Sequence, residues 1–474
     1  VSDLHELSAS RQLAALRTGQ VSSRDLTEHY LTRIDRLDRE LGAFMTVTAE
    51  LALREAARAD ECLARGEWSS LCGLPLAIKD LYPTAGIRTT FGSAALGDHV
   101  PTEDSWTVGL LRRAGAVVVG KTNTPEFGAT CYTENGVTER PAVTPYDPTR
   151  YASGSSGGAA TAVAAGLLPV GHASDGAGSI RTPAAACHLV GVKPSRGLVS
   201  AAPATSFLSV GTEGPIARTV ADAALLLDVM ACPWPGDLYG WCSTTSFADA
   251  VTHPPRPLKV AMWTDTGLDG LDPHPESVHA AERAARLLRD LGHDVREIAV
   301  PARCDELTRQ ALATWFASSV GLVVPTLVPP GRQHQLQPYT RHLVAASAEF
   351  SAGDVMRAQS MLARYASTFL AVLDDYDVAL TPTTSGPPVP IGYYLADGVE
   401  QVSDLMLDWS CYTPWVNLTG QPAVSVPSHL DGDGLPYGVQ LVGRQRHDAE
   451  ILALAAQLEE GSLWSDLHPP CWYR

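Results

Sequence analysis

The sequence predicts an α/β layer fold built on a central sheet, and three observations predict it. Short apolar runs bounded by glycine or proline, such as 73–80 and 115–120, alternate with longer stretches whose leucines, isoleucines and valines recur every three or four residues. The chain has 474 residues, 45% of them apolar and 18% charged, which is ample for a large buried core. No internal repeat breaks the alternation.

Residues 4–16 and 26–37 carry helical spacing, and Ser22-Ser23 offers the second of these an N-cap. A further helix is predicted over 49–65. Residues 73–80 (GLPLAIKD) read as a short buried strand ending on Lys79. Residues 104–113 read as a helix, and 115–120, valines between glycines, as a strand ending at Lys121. A loop with Pro141, Pro145 and Pro148 leads into two glycine-serine knots, Gly154-Ser155-Ser156-Gly157-Gly158 and Gly176-Ala177-Gly178-Ser179, joined by an alanine-rich stretch. Within that stretch 159–167 is predicted helical, its small residues permitting close packing, and 168–174 is a strand feeding the second knot. Residues 219–230 read as a helix, 423–426 and 437–442 as strands, and 448–458 as a helix. From about 232 to 405 proline and tryptophan are more frequent and strand signals weaker, with helices at 279–291 and 353–373. This stretch is expected to be the more variable, pocket-shaping part.

A formal charge of −17 argues against nucleic acid as a partner, because phosphate contact needs a basic surface. No apolar run reaches the roughly 18 residues of a membrane span, and VSDLHELSAS reads as a polar helix start without a signal-peptide pattern. Nine cysteines, scattered singly from Cys62 to Cys471 with no C-x-x-C pair, suit reduced thiols. A cytoplasmic protein without a membrane partner is therefore expected, a monomer or homodimer. No His/Asp/Glu cluster has ligand spacing, so neither metal nor cofactor is expected. Of 35 basic residues only four are lysines: Lys79, Lys121, Lys193 and Lys259. A neutral amine is open to lysine and closed to arginine, so chemistry that needs one has four candidates.

Glycines crowded around a serine let backbone N–H groups approach a reacting atom that a Cβ would keep away. Two such knots, the second bracketed by Asp175 and Arg181, suit the holding of an oxyanion. Read singly, each has plainer meanings. Gly154-Ser155-Ser156-Gly157-Gly158 matches the G-x-S-x-G nucleophile elbow, but a proline-rich loop precedes it where that motif needs a strand. No Gly-Lys-Ser/Thr follows to make a phosphate loop. A lone knot is more simply a turn, Lys79 a surface charge, Arg181 an ion-pair partner, and His172 and His188 satisfied core histidines.

In combination they read otherwise. Leu76-Ala77-Ile78-Lys79-Asp80, the first knot and Asp175-Gly176-Ala177-Gly178-Ser179-Ile180-Arg181 occur in that order, with 76 residues from Lys79 to Ser155 and 24 from Ser155 to Ser179. With Gly120-Lys121-Thr122-Asn123-Thr124-Pro125-Glu126-Phe127, Gly191-Val192-Lys193-Pro194-Ser195-Arg196-Gly197 and Gly420-Gln421-Pro422-Ala423, this set resembles the amidase signature family of serine amide hydrolases. The resemblance covers most of residues 20–230 and about 410–460. It implies one amidase domain over 1–474, with a signature core of about 60–230 and 410–465. The implied fold is a central mixed β-sheet covered by helices on both faces.

The resemblance also implies roles. Ser179 is expected to be the nucleophile, Ser155, after a cis peptide bond, the bridging serine, and Lys79 the base. Backbone N–H groups of Gly176, Ala177, Gly178 and Ser179 are the implied oxyanion hole, with Ser156, Asp175 and Arg181 as supports. An acyl-enzyme on Ser179 is the implied intermediate, and the substrate a small-molecule carboxamide or anilide-like amide. Thr130, Cys131 and Tyr132 are expected at the substrate, with Trp315, Tyr339 and Trp409 as candidate aromatic walls. Many members read Asp-Thr-Gly-Gly-Ser where this chain reads Asp175-Gly176-Ala177-Gly178-Ser179. That form is similar to the branch that includes nylon-oligomer cyclic dimer hydrolases and points toward secondary amides. Two other functions fit the same scaffold: the A-type subunit of an amidotransferase that releases ammonia from glutamine, and a non-catalytic binding protein.

Overall fold

The computed structural model describes residues 3–203, 210–462 and 464–474, and among these the strands form three sheets. Phe44–Val47 (β1), Pro75–Lys79 (β2) and Val117–Thr122 (β3) make the first, with β3 central, antiparallel to β1 and parallel to β2. Val143–Thr144 (β4) and Asp147–Tyr151 (β5) pair as a small hairpin. The large sheet is built from Val170–Asp175 (β6), Val190–Lys193 (β7), Thr212–Ala217 (β8), Lys259–Met262 (β9), Asp294–Glu297 (β10), Val378–Pro382 (β11), Ala423–Leu430 (β12) and Pro436–Gly443 (β13). Its order is β10-β9-β11-β13-β12-β7-β8-β6, parallel from β10 through β11 and antiparallel beyond, so the sheet is mixed.

Helices surround the sheets: Ala9–Arg17 (α1), Ser23–Leu41 (α2), Ala49–Ala64 (α3), Trp106–Arg113 (α4), Gly157–Ala164 (α5), Arg181–Ala186 (α6), Val220–Met230 (α7) and Phe247–Ala250 (α8). Then follow Pro275–Asp290 (α9), Glu306–Leu327 (α10), Pro338–Glu349 (α11), Ala352–Leu373 (α12), Val402–Ser410 (α13), Pro414–Thr419 (α14) and Asp448–Ser462 (α15). Local chemistry sets their ends. The Ser22 hydroxyl accepts the Asp25 N–H to start α2, and Gly42, at φ +64°, closes it in the left-handed region. The first predicted helix is in fact two, a 3-10 turn at Leu4–Glu6 and α1, because Ser8 turns extended and caps the second.

Alternation along the large sheet shows why helices cover both faces. Val190 and Val192, Val378 and Leu380, and Val439 and Leu441 point into a core shared with α7, α9 and α15. Ala379, Ala423 and Val442, one residue out of step, join Trp263, Phe369 and Trp415 on the opposite face. Period-two burial on both faces is the signature of a sheet between two helical layers.

The structure departs from the sequence reading mainly between 232 and 405 and just before the first knot. The proline loop contains the β4–β5 hairpin. The variable stretch supplies β9, β10 and β11 to the large sheet, the unanticipated helices α8, α10 and α11, and the start of α13. β9 and β10 are four residues each, and β10 buries only Val295, so neither shows a clear period. Among the described residues one helix, α10, is long and apolar enough to cross a membrane, by length and composition only. Its apolar residues are interrupted by Thr and Ser, so no unbroken run marks it. The hydroxyls of Ser318 and Ser319 fold back onto the Thr314 and Trp315 carbonyls and cost the helix little polarity. One face of α10 buries Ala311, Ala317, Val320 and Val324, while Leu322 is 72% exposed.

Two edges meet at the centre of this architecture. β2 ends the three-stranded sheet, β6 ends the eight-stranded one, and the two lie against each other without joining a ladder. The wholly buried α5 packs beside this seam. Its second residue, Gly158, passes so close to the chain that a Cβ would stand 2.3 Å from Asn123 N and 2.5 Å from Ala43 O. Both obstacles are backbone and cannot swing aside. Gly158→Ala is therefore expected to lower the thermal midpoint by an amount equivalent to roughly 1–3 kcal/mol, as overpacked cores do. An alanine variant melting with the wild type would show that α5 is free to shift.

Candidate active site

β2 delivers Lys79 to the seam, wholly buried. Its Nζ lies 2.7 Å from Ser155 Oγ, 2.8 Å from Ser156 Oγ and 3.1 Å from Ser174 Oγ. Burial lowers its pKa to about 7, against the opposing pull of the Asp175 and Glu213 carboxylates. Burial alone does not single it out, for Lys121 and Lys193 are buried and lowered to about 7 as well. Lys121, however, is held by the Tyr82 carbonyl and the Thr84 and Thr89 hydroxyls, 3.9 Å from Asp80, and Lys193 donates to the Pro194 carbonyl. Lys79 is the lysine that meets serines.

The first knot supplies two of them. The Gly154–Ser155 peptide is cis. A Cβ on Gly154 would stand 2.8 Å from Tyr132 N and 2.9 Å from Thr130 O, so the knot packs directly on the 130–132 backbone. Ser156 opens α5 and donates to the Ser174 carbonyl at 3.1 Å, while its oxygen accepts the Ser174 N–H at 3.3 Å. Ser156 thus ties the knot to β6. Ser174, which the sequence reading passed over, is the third hydroxyl at the amine. Its signal was positional: it immediately precedes Asp175 on the strand feeding the second knot.

Asp175 organises that second knot. One oxygen accepts the Gly178 N–H at 2.7 Å, and the other accepts those of Ile180 at 3.1 Å and Arg181 at 3.4 Å. The Arg181 guanidinium adds bonds of 2.9 Å to each carboxylate oxygen, and Asn417 adds another. Burial opposes the charge on Asp175, but the Arg181 charge and these hydrogen bonds outweigh it and hold the carboxyl below the usual range. Arg181 is closed in turn by Thr413 O, Gln440 and Asn417. The Gly178 amide is thereby spent on Asp175, which corrects its place among the expected oxyanion donors; Gly176, Ala177 and Ser179 keep unengaged amides among the described residues. Gly178 itself has φ +132° and would put a Cβ 2.3 Å from Thr413 Oγ1.

Ser155 and Ser179 line one cavity of about 370 Å³, together with Gly176, Ala177, Thr130 and Cys131. Among the described residues no hydrogen bond joins the two serine hydroxyls, and Ser179 stands half-buried at the cavity wall. Tyr132 is not at the cavity: its ring is 4% exposed and stacks on Tyr394 at 4.7 Å, because its backbone, not its side chain, faces the knot. Trp315 does line the wall, with Phe127, Leu312, Phe316 and Met406. Tyr339 and Trp409 are core, tied to Ser403 and to the Pro387 carbonyl. Arg309 reaches the cavity already paired to Asp404 at 3.3 Å and Asp408 at 2.9 Å. A larger groove of about 990 Å³ beside α3 holds charged side chains and none of the serines that meet Lys79. Of the two histidines expected in the core, His172 is hydrogen-bonded, whereas among the described residues neither ring nitrogen of the buried His188 finds a partner.

Residues 25–452 match the family model described as Amidase. Over 99% of both chains the sequence is 38% identical to a putative amidase, AmiB2, of Mycobacterium tuberculosis. It is 34% identical, over 98% of both, to an acylamidase of Rhodococcus erythropolis. Among solved structures, 6-aminohexanoate cyclic dimer hydrolase complexed with substrate superposes with a TM-score of 0.92 at 28% identity, covering 99% of each chain.

The Asp175–Arg181 pair is tested by removing one charge. Asp175→Asn keeps the shape but leaves a fully buried guanidinium uncompensated, and a broken buried pair of this kind typically costs about 3–5 kcal/mol. The expected outcome is a large fall in the urea midpoint together with loss of activity. An asparagine variant as stable as the wild type would mean that Gln440, Asn417 and Thr413 suffice to hold Arg181.

Proposed function

The chain belongs to the amidase family, and from that premise we propose that it hydrolyses an uncharged, largely apolar amide through an acyl-enzyme on Ser179. The observation that carries the reading is the dry contact of Lys79 with Ser155 at the floor of the cavity that also presents Ser179.

A neutral lysine has one lone pair and two N–H donors. With its donors on Ser156 and Ser174, the lone pair is left for the Ser155 O–H, and the Ser155 oxygen can then accept the proton of Ser179. In acylation the Ser179 oxygen attacks the amide carbonyl while its proton passes to Ser155 and that of Ser155 to Lys79. The carbonyl oxygen takes up the negative charge, facing the Gly176, Ala177 and Ser179 amides, each such donor being worth about 3–4 kcal/mol in a transition state. When the C–N bond breaks, the proton returns from Lys79 through Ser155 to the leaving nitrogen. Water, activated by the same relay, attacks the ester, and the carboxylic acid leaves as Ser179 regains its proton. No step needs a metal or a cofactor.

The cavity lining favours an apolar substrate group. Among the described residues its one guanidinium is neutralised by two carboxylates, so an acidic substrate finds no free cation in the described lining. This weighs against glutamine, whose α-carboxylate needs such a partner, and hence against the amidotransferase alternative. The likeness to an acylamidase and to a cyclic dimer hydrolase is in keeping with an N-substituted amide.

Four outcomes are expected. A fluorophosphonate is expected to add to the folded enzyme at Ser179 and to nothing after Ser179→Ala; a folded wild type left unlabelled would favour a binding protein. Lys79→Arg is expected to lose activity as fully as Lys79→Ala, on the order of 10²–10⁴-fold, because guanidinium cannot serve as base. Since Lys79 works only unprotonated, kcat/KM is expected to rise with pH through about 7, and a flat profile from pH 6 to 9 would count against a titrating amine. In an amide panel, neutral anilides and N-acyl amines are expected to exceed glutamine at least about tenfold in kcat/KM.

A further inference from the structure

Next to Lys79, outside the cavity lining, stands a pair the catalytic scheme does not use. His172 of β6 and Glu213 of β8 are both buried, at 0% and 3% exposure, with His172 Nε2 2.7 Å from Glu213 Oε2. His172 Nδ1 accepts the main-chain N–H of Lys79 at 3.3 Å. That N–H lies on the edge strand β2, and β6 is the facing edge of the other sheet, so an imidazole nitrogen takes the place a carbonyl would have in a continuous ladder. Because Nδ1 must offer a lone pair, the ring proton is on Nε2 and is donated to Glu213. The second Glu213 oxygen accepts from Thr107 Oγ1 at 3.2 Å, so both oxygens act as acceptors, as a carboxylate requires.

We propose that His172 and Glu213 are positioning residues for the base: Glu213 fixes the tautomer of His172, His172 tethers the Lys79 backbone across the seam, and the Glu213 carboxylate is a buried negative charge set near the amine. This rests on Lys79 being the base. A buried lysine left without any anion nearby would lose its proton at low pH and be a poor acid for the leaving nitrogen. The other groups around the amine do not fill this role. Ser155 and Ser156 from the first knot and Ser174 from β6 are neutral. Asp175 is neutralised by Arg181, with Lys193 nearby. Asp80, the next residue, turns away to Thr90 and Lys121. Tyr82 packs edge-on against His172 at 5.0 Å, and burial pushes its hydroxyl pKa up, so it brings no charge. Burial raises the Glu213 carboxyl above its ordinary value, and the bonds from His172 and Thr107 and the charge of Lys79 offset part of that rise.

The two halves separate experimentally. Glu213→Gln retains an acceptor for His172 and removes the charge, so the acid limb of kcat/KM is expected to move to lower pH by about half a unit or more, since the protonated amine loses a stabilising anion. His172→Leu removes the tether and is expected to lower kcat about tenfold or more with KM within about threefold, whereas His172→Asn, with an acceptor near the Nδ1 position, is expected to recover most of that loss. A folded Glu213→Gln enzyme whose limb coincides with that of the wild type overturns the electrostatic half. A His172→Leu enzyme turning over like the wild type, or no better rescued by asparagine, overturns the tether. The His172 pair decides the tether even if Glu213→Gln does not fold. A wild type with no acid limb would instead count against Lys79 as base, while the kcat comparison would still judge the tether.

Discussion

The structure depends on one demand: an amine must be completely dry yet touch several hydroxyls. Dryness comes from placing Lys79 at the end of a fully buried strand, and the hydroxyls come from elements of other origin, the loop before α5 and the strand β6. A single sheet would have spent both strand edges on each other. Two sheets that abut without pairing leave a slot whose walls are backbone and whose contents are side chains. Much of the surrounding sequence serves that slot, from glycines that let the walls close up to small residues that let α5 lie flat beside it.

The second constraint is that the loop after β6 must hold its shape with little packing of its own. Gly176 and Ala177 are exposed, so the loop is shaped from beneath by Asp175, whose carboxylate gathers three amides and a guanidinium. The charge that would be costly in a core is made useful because every acceptor position is filled. One consequence is that an expected oxyanion donor, Gly178, belongs to the scaffold instead, leaving its neighbours to face the cavity.

Much of this was legible in the sequence. β2, β3, β6, α2, α3, α7 and α15 follow from periodicity, capping residues and flanking glycines, and the order of the three motifs marks Lys79, Ser155 and Ser179. Less legible were elements whose identity comes from partners distant in sequence. β9 and β10 are too short to show a period and become strands by pairing beside β11. α10 hides its apolar character behind serines and threonines that satisfy themselves on the preceding turn. Tyr132 follows the motif that points to the substrate, but its ring is claimed by Tyr394 and Tyr151, residues that no local pattern connects to it. Ser174 meets Lys79 directly across the seam and Glu213 reaches it through His172, contacts between distant strands that a linear reading does not display.

Gly176 and Gly178 sit two residues apart, yet the space around them differs completely. A side chain on Gly178 would run into Thr413, whereas a Cβ on Gly176 would meet nothing within 4 Å. The first is fixed by sterics and the second is not, although both belong to the same knot. Position 176 is thus a vacant socket on the wall of the cavity that holds Ser155 and Ser179. Side chains grafted there would reach toward an incoming molecule without disturbing the framework below, which makes it a natural place for selectivity to diverge, or be redesigned, while the chemistry stays as it is.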